Sequence, residues 1–265
     1  MLACKPLEIM AIMAARMVQD GDVVFCGTGL SLIVAAVAKK FRPRKASSSL
    51  KPVALMRHSR SYQETGGVDA ALPELPISVA DSRVMYGTSM NAGLLESFSI
   101  LGHRKVHTKA FLGAAQIDRF GNLNSTSIGD YWHPSVRLSG SGGAGDAACL
   151  AAEVTIFMQH EKNRFVPKLD YLTSPGWLSG NETRRKAGLH RGGPQTVVTD
   201  LGVMRFHEKT REIYPHEYYP GVTPQQIQKS TGFEIEVTRA VQSRPVTAEE
   251  LRALREEVDP QKLII

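Results

Sequence analysis

The chain has 265 residues, of which 42% are apolar and 22% charged, with 23 Gly and 14 Pro. That composition excludes a disordered chain, which would be poorer in apolar residues, and a collagen-like one, which needs Gly at every third position. Lys and Arg number 32 against 26 acids, and the resulting formal charge of +6 raises nucleic acid or an anionic membrane as partners until the charge is located.

The charge is concentrated. Lys39, Lys40, Arg42, Arg44, Lys45, Lys51, Arg57 and Arg60 fall in one stretch without an acid, leaving 24 basic against 26 acidic side chains elsewhere. The body of the protein is therefore close to neutral. Aromatic residues are not interleaved with the basic run, as a groove for single-stranded nucleic acid requires. Cys4, Cys26 and Cys149 are too few and too scattered for a disulfide framework or a zinc site, and they fit a reducing compartment. The longest uncharged stretch, Val23 to Ala38, has 16 residues broken by Gly27 and Gly29, short of the roughly 20 a membrane span needs. Glu8 and Arg16 interrupt the apolar run that a secretory signal would require. A soluble cytoplasmic protein is expected.

In chain order, Ile9, Met10, Met13 and Met17 repeat at the spacing of one helical face and predict a helix over Leu7 to Val18, closed by Asp20-Gly21. Val23-Val24-Phe25-Cys26 is a short continuous apolar run suited to a buried parallel strand. Gly27-Thr28-Gly29 follows, then a helical stretch from Leu30 to Lys40, so strand, glycine loop and helix open a βαβ unit. Phe41 to Ser61 reads as an exposed basic loop with one short strand at Val53 to Met56. Further strands are expected at Lys109 to Ala114, Val154 to Gln159, Tyr171 to Thr173 and Thr196 to Thr199. Val203 to Phe206 is positioned to pair with the last of these. Helices are expected over Asn91 to Ile100, Thr223 to Ser230 and Thr247 to Val258, where Thr247 and Glu250 form a capping box. The class is α/β, in a single domain over residues 1–265 with a basic insertion at about 41–61.

Few residues carry chemistry on their own. Gly27-Thr28-Gly29 is either a structural turn or a contact to a phosphate or cofactor at a helix start; it lacks a third glycine and a following Lys-Ser/Thr pair. Ser139-Gly140-Ser141-Gly142-Gly143-Ala144-Gly145-Asp146 is stronger, because so many glycines are costly in chain entropy unless their bare N–H groups have a use. Such amides suit an oxyanion or a pantetheine carbonyl. Glu64-Thr65-Gly66-Gly67 sets a carboxylate before a flexible turn. His58, His103 and His107 have no partners at metal-ligand spacing, His160-Glu161 is not a zincin motif, and no Gly-x-Ser-x-Gly elbow is present.

Longer blocks are more specific. The run from Gly113 to Tyr131, the cluster Gly140-Ser141-Gly142-Gly143-Ala144, Met158-Gln159-His160-Glu161-Lys162, Thr173-Ser174-Pro175-Gly176-Trp177, Tyr218-Tyr219-Pro220 and Thr231-Gly232-Phe233 appear in that order. Together they resemble the B (β) subunits of family I CoA-transferases of the glutaconate type, over nearly the whole chain. The resemblance implies a NagB/RpiA-type fold with a largely parallel central sheet flanked by helices. It also implies that Glu64, which precedes Leu75-Pro76-Ile77-Ser78-Val79-Ala80-Asp81 at the family's spacing, is the catalytic nucleophile. CoA is then a substrate, no cofactor or metal is bound permanently, and an A (α) subunit is the partner, without nucleic acid or membrane. The expected acid is a glutaconate-like dicarboxylate or a 3-oxo acid. Gly142, Gly143 and Ala144, with Gly27, Thr28, Gly29 and Gly66, are candidates for the oxyanion and CoA contacts.

One departure stands out: 23 residues, Phe41 to Gln63, separate the second helix from Glu64, more than the family usually has. The strand leading into the glutamate is then Val53 to Met56, or Arg60 to Gln63, or is displaced. Two other readings stand beside the transferase. A related branch of the fold hydrolyses CoA thioesters, with ring cleavage as in steroid degradation, but departs from the Glu-Ser/Thr-Gly turn. A non-catalytic protein could instead use the basic loop on polyanions.

Overall fold

The computed structural model describes residues 4–27, 29–41, 60–63, 66–70, 74–76, 78 and 81–265. It divides into two compact units, one of residues up to Phe111 together with Val246–Ile265, the other Leu112–Pro245.

The first unit opens with α1 (Pro6–Ala15). Pro6 supplies a helix-ready φ at the first position, and the Glu8 carboxylate accepts the Lys5 N–H at 2.7 Å. The helix ends three residues before the expected Val18, where Met17 and Val18 bond back in tighter turns. After β1 (Val23–Cys26) and α2 (Leu30–Phe41), the chain is described again at β2 (Arg60–Gln63). Next come β3 (Gly67–Val68), a 3₁₀ turn at Ser82–Met85, β4 (Met90–Asn91), α3 (Leu94–Gly102) and β5 (Thr108–Gly113).

β1 is parallel to β2 on one side, with Val23 opposite Arg60 and Cys26 opposite Gln63, and parallel to β5 on the other. A strand flanked on both sides must be apolar along its length, and Val24, Phe25 and Cys26 are buried. α2 packs on α1 through buried Leu32, Ile33, Val34 and Val37 against a helix that buries Met10, Ile12 and Met13. Of the placements expected for the strand before Glu64, Arg60–Gln63 is observed. Val53 to Met56 and most of the basic run lie outside the described residues. Asn91 pairs in β4 instead of opening a helix as expected, because Gly93 is an extended N-cap that delays α3 to Leu94.

The second unit begins with two short hairpins, β6 (Gln116–Ile117) with β7 (Leu123–Asn124) and β8 (Ser127–Gly129) with β9 (Pro134–Arg137). It continues through α4 (Ala144–Leu150), β10 (Glu153–Phe157), α5 (Thr183–Lys186), β11 (Pro194–Val198), β12 (Gly202–Phe206), β13 (Ile213–Tyr218), α6 (Pro224–Lys229) and β14 (Val241–Gln242). β10 and β11 are parallel; β12 then pairs antiparallel with β11, as expected for Val203 to Phe206, and with β13. The expected strand at Tyr171 to Thr173 does not form. Only a one-residue bridge joins Ser174 to Leu123, whose carbonyl takes both the Thr173 and Ser174 N–H groups before Pro175 ends the pairing.

The chain then returns to the first unit as α7 (Ala248–Arg252), which runs into a π-helical turn over Ala253–Val258 in place of one uniform helix. The capping box is present: Thr247 Oγ1 accepts the Glu250 N–H at 3.2 Å, and Glu250 Oε2 accepts the Thr247 N–H at 2.8 Å. Two forked ion pairs tie this segment to α1, Arg16 on Glu250 at 2.8 and 2.6 Å and Arg255 on Glu8 at 2.7 and 2.8 Å. Burial pushes the Glu250 carboxyl up, but the Arg16 guanidinium and the Thr247 amide outweigh it and hold it below its ordinary value. Among the described residues, no helix is long and apolar enough to cross a membrane.

Candidate active site

In the first unit the described members of the predicted set, Gly27, Gly29 and Gly66, follow the ends of β1 and β2. β1 runs out at Cys26 into Gly27 and Gly29, with Thr28 outside the described residues. Gly29 has φ +78°, a left-handed backbone that glycine adopts without strain. Among the described residues, no atom stands within 4 Å of where its side chain would be. Gly27 O is bound by the Ser31 hydroxyl at 3.0 Å, which ties the loop to the first turn of α2. Cys26 is fully buried, and burial pushes its thiol up to about 12, so it is inert packing as its sequence surroundings suggest.

β2 ends at Gln63, beside Cys26. Glu64 and Thr65 lie outside the described residues, but the backbone on both sides of them is defined. β2 and β3 run antiparallel with Tyr62 opposite Val68, as the two arms of a hairpin. Gly66 has φ +99°, and its carbonyl accepts the Ala92 N–H at 3.0 Å. A methyl at Gly66 would sit 1.7 Å from Ala92 O, and one at Gly67 2.5 Å from Val84 O. Both glycines are thus demanded by close backbone approach, a reason invisible in the sequence. Downstream, Arg83 grips Asp81 at 2.6 Å and Glu74 at 3.0 Å, bracketing the Leu75-to-Asp81 stretch.

The second unit carries the glycine cluster as the turn leading into α4. Gly140 and Gly142 have φ +89° and +48°, with no atom of the described residues within 4 Å of either absent side chain. The Ala144 N–H is committed to Ser141 O at 2.9 Å, and the Gly145 N–H to the Ser141 hydroxyl at 3.0 Å. Neither the Gly142 nor the Gly143 N–H has an acceptor among the described residues. Ala144, a candidate donor from the sequence, is therefore occupied, and Gly142 and Gly143 are available.

Much of the remaining motif material is scaffold. Asp118 accepts the Phe120 and Asn122 N–H groups at 2.9 and 3.0 Å, and the Asn122 side-chain oxygen accepts from Gly176 N and Leu178 N at 2.8 and 3.1 Å. Those bonds let Gly176 approach Gly121 so closely that a side chain would fall 2.3 Å from backbone. His160 is stacked on Phe165 with ring centroids 4.0 Å apart, its two ring nitrogens on Thr199 and Thr231 at 3.2 and 2.9 Å. Burial holds its pKa down to about 3. A histidine depressed from about 6.5 stabilises the fold fully above that pH and loses the contribution as pH falls towards 3. Between pH 6.5 and 5 this slope reaches about 1.4 kcal/mol per pH unit, and His160→Gln is expected to flatten it in urea titrations.

Arg184 escapes sequence reasoning, because it is the first of three consecutive basic residues and nothing local sets it apart. It is fully buried. Among the described residues, no group of His, Cys, Asp and Glu is arranged to hold a metal ion.

An α/β fold with parallel strands ending at a Glu-Thr-Gly sequence, and a glycine turn with unclaimed amides, has the parts of an acyl-transfer enzyme. Residues 7–230 match the model of the coenzyme A transferase family, and the chain belongs to that family. It is 39% identical to the B subunit of glutaconate CoA-transferase from Acidaminococcus fermentans, over 97% of this chain and 94% of the relative. It is also 36% identical to the B subunit of 3-oxoadipate CoA-transferase from Pseudomonas knackmussii, over 94% and 91%. The crystal structure of glutaconate coenzyme A-transferase from Acidaminococcus fermentans superposes with a TM-score of 0.89 at 38% identity, covering 99% of this chain and 97% of that one. The B-type resemblance read from the motifs is borne out.

Proposed function

We propose that this chain is the glutamate-bearing half of a heteromeric CoA-transferase, active only with an A subunit, that moves CoA between an acyl-CoA and a carboxylic acid. The observation that carries this is the hairpin: Glu64 follows directly on a strand that is parallel to β1, and it precedes by two positions a glycine shaped by Ala92. The Glu64 carboxylate attacks the thioester carbonyl carbon and expels CoA thiolate, leaving a mixed anhydride. The thiolate attacks the glutamyl carbonyl and releases the first acid, giving a glutamyl-CoA thioester; the acceptor acid then runs both steps in reverse. Holding CoA on the enzyme as a thioester conserves the energy that hydrolysis would dissipate. The amides of Gly142 and Gly143 are the donors for the developing oxyanion or a pantetheine carbonyl. Gly27, Thr28, Gly29 and Gly66 are proposed for further contacts to CoA.

The names of the two relatives support a glutaconate-like dicarboxylate or a 3-oxo acid as substrate. The single-domain, NagB/RpiA-like organisation with an insertion at 41–61, and residence in the cytoplasm, belong to the same reading. The test is to incubate the complex with glutaconyl-CoA or 3-oxoadipyl-CoA without an acceptor acid. The expected result is one CoA thioester on Glu64 per copy of this chain, seen by mass spectrometry, and no continuing release of CoA. Steady CoA release would mark a hydrolase and refute the proposal.

A further inference from the structure

We infer that Arg184 is a positioning residue for transfer, holding the Gly140–Gly143 turn from the far end of α4. The inference rests on the reading above, in which the Gly142 and Gly143 amides are the donors for an oxyanion or a pantetheine carbonyl.

Arg184 is 2% exposed, and its guanidinium donates to backbone carbonyls: Nη1 to Pro175 O at 3.0 Å and Gly176 O at 2.9 Å, Nη2 to Ala148 O at 2.7 Å and Arg191 O at 3.0 Å. Its charge centre lies 6.0 Å from the Trp177 ring centroid. Burial pushes its pKa down, the expected direction for a cation removed from water. A buried cation bonded to carbonyls in place of a carboxylate is a costly way to fill space, and an apolar side chain would pack there more cheaply. What the fork achieves is to bind three separate segments at once.

One of those segments is α4. Ala148 lies in its last turn, where carbonyls lack intrahelical donors and a cation is favoured. Another is the loop at Pro175 and Gly176, which also reaches the opposite end of the glycine turn. Thr173 Oγ1 accepts the Ser125 N–H at 2.9 Å, and Ser125 is joined to Gly140 by two bonds, hydroxyl to carbonyl and amide to carbonyl, both 2.9 Å. The turn is therefore anchored at both ends to the same stretch, Thr173 to Gly176. Arg184 supplies the anchor on the α4 side, and a slide of α4 along its axis would carry Gly143 and Gly142 with it. Small displacements of such groups have large effects on rate.

The test uses the complex with its A subunit, carrying Arg184→Lys or Arg184→Met, mixed rapidly with glutaconyl-CoA and 3-oxoadipyl-CoA. Thioester formation at Glu64 is followed by quenched-flow mass spectrometry and expressed per site that ultimately reacts. Arg184→Lys keeps the charge but loses the fork, and the rate per reacting site should fall about tenfold to a hundredfold. KM for acyl-CoA should change less than about twofold, because the loss falls on the transition state. Arg184→Met should fall further. A purely structural arginine would lower the fraction of reacting sites and leave the rate per site unchanged, and that result overturns the inference. Should both variants fail to assemble, Ser125→Ala removes the hydroxyl bond of the other anchor and leaves its backbone bonds; a fall in rate per site of about threefold or more supports the inference, and an unchanged rate overturns it. Wild-type complex that forms no thioester at all refutes the proposed function instead.

Discussion

Glu64→Ala, assembled with the A subunit, is expected to lose CoA transfer by about four orders of magnitude or more, the scale of removing a covalent nucleophile. The loss should fall on the first chemical step, with no thioester detected on this chain. Assembly and the thermal midpoint should stay at wild-type values, because the described structure on either side of Glu64 is held by main-chain bonds. The β2–β3 pairing at Tyr62 and Val68 is made by backbone, and so is the bond from Ala92 to Gly66. Turnover retained in a folded Glu64→Ala complex would remove the carboxylate from the mechanism. Glu64→Gln keeps the shape without the nucleophilic oxygen and should lose transfer as completely.

Gly66→Ala is the second large effect, and it acts through the backbone. Two penalties coincide there: φ of +99°, unfavourable for any residue with a Cβ, and a methyl 1.7 Å from Ala92 O. Neither can be relieved by a rotamer change, since the obstructing atom is main chain. The hairpin must shift away from Ala92, at a stability cost of about 3 kcal/mol measured by urea unfolding. The shift is transmitted two residues along the chain to Glu64. Thioester formation per folded complex should drop about a hundredfold, as misplacement of a reacting group by an ångström does. Stability within about 0.5 kcal/mol of wild type, a shift typical of a neutral surface substitution, would show that Ala92 does not brace the turn.

The two variants separate identity from placement. The first removes the reacting group and leaves its support; the second leaves the group and disturbs the support. Arg184→Lys extends the same distinction to the second unit, where the support is a buried side chain instead of a neighbouring backbone.

Local pattern was enough for β1, α2, the β11–β12 hairpin and the Thr247 capping box, because each depends on residues within a few positions of one another. It failed where a strand lacks alternation or its pairing partner is distant. β13 carries Pro215, His216 and Glu217 and has no strand-like alternation, yet it pairs with β12 over five positions. Asn91 belongs to β4 because Gly67 lies opposite it, 24 positions earlier in the chain.

By itself, the sequence determined the α/β class and the family, and it singled out the glutamate proposed as nucleophile, since several ordered motifs around a Glu-Thr-Gly turn suffice for all three. It also showed that the charge of +6 belongs to one segment and not to the body of the protein. Only the tertiary structure decided that Arg60–Gln63 is the strand before the glutamate, that Ala92 is the reason for Gly66, and that Ala144 is already bonded. It alone revealed Arg184 at the far end of α4 from the glycine turn. Each of these depends on hydrogen bonds or close contacts whose effect is set by three-dimensional position, and residue type and spacing do not record where a carbonyl will point.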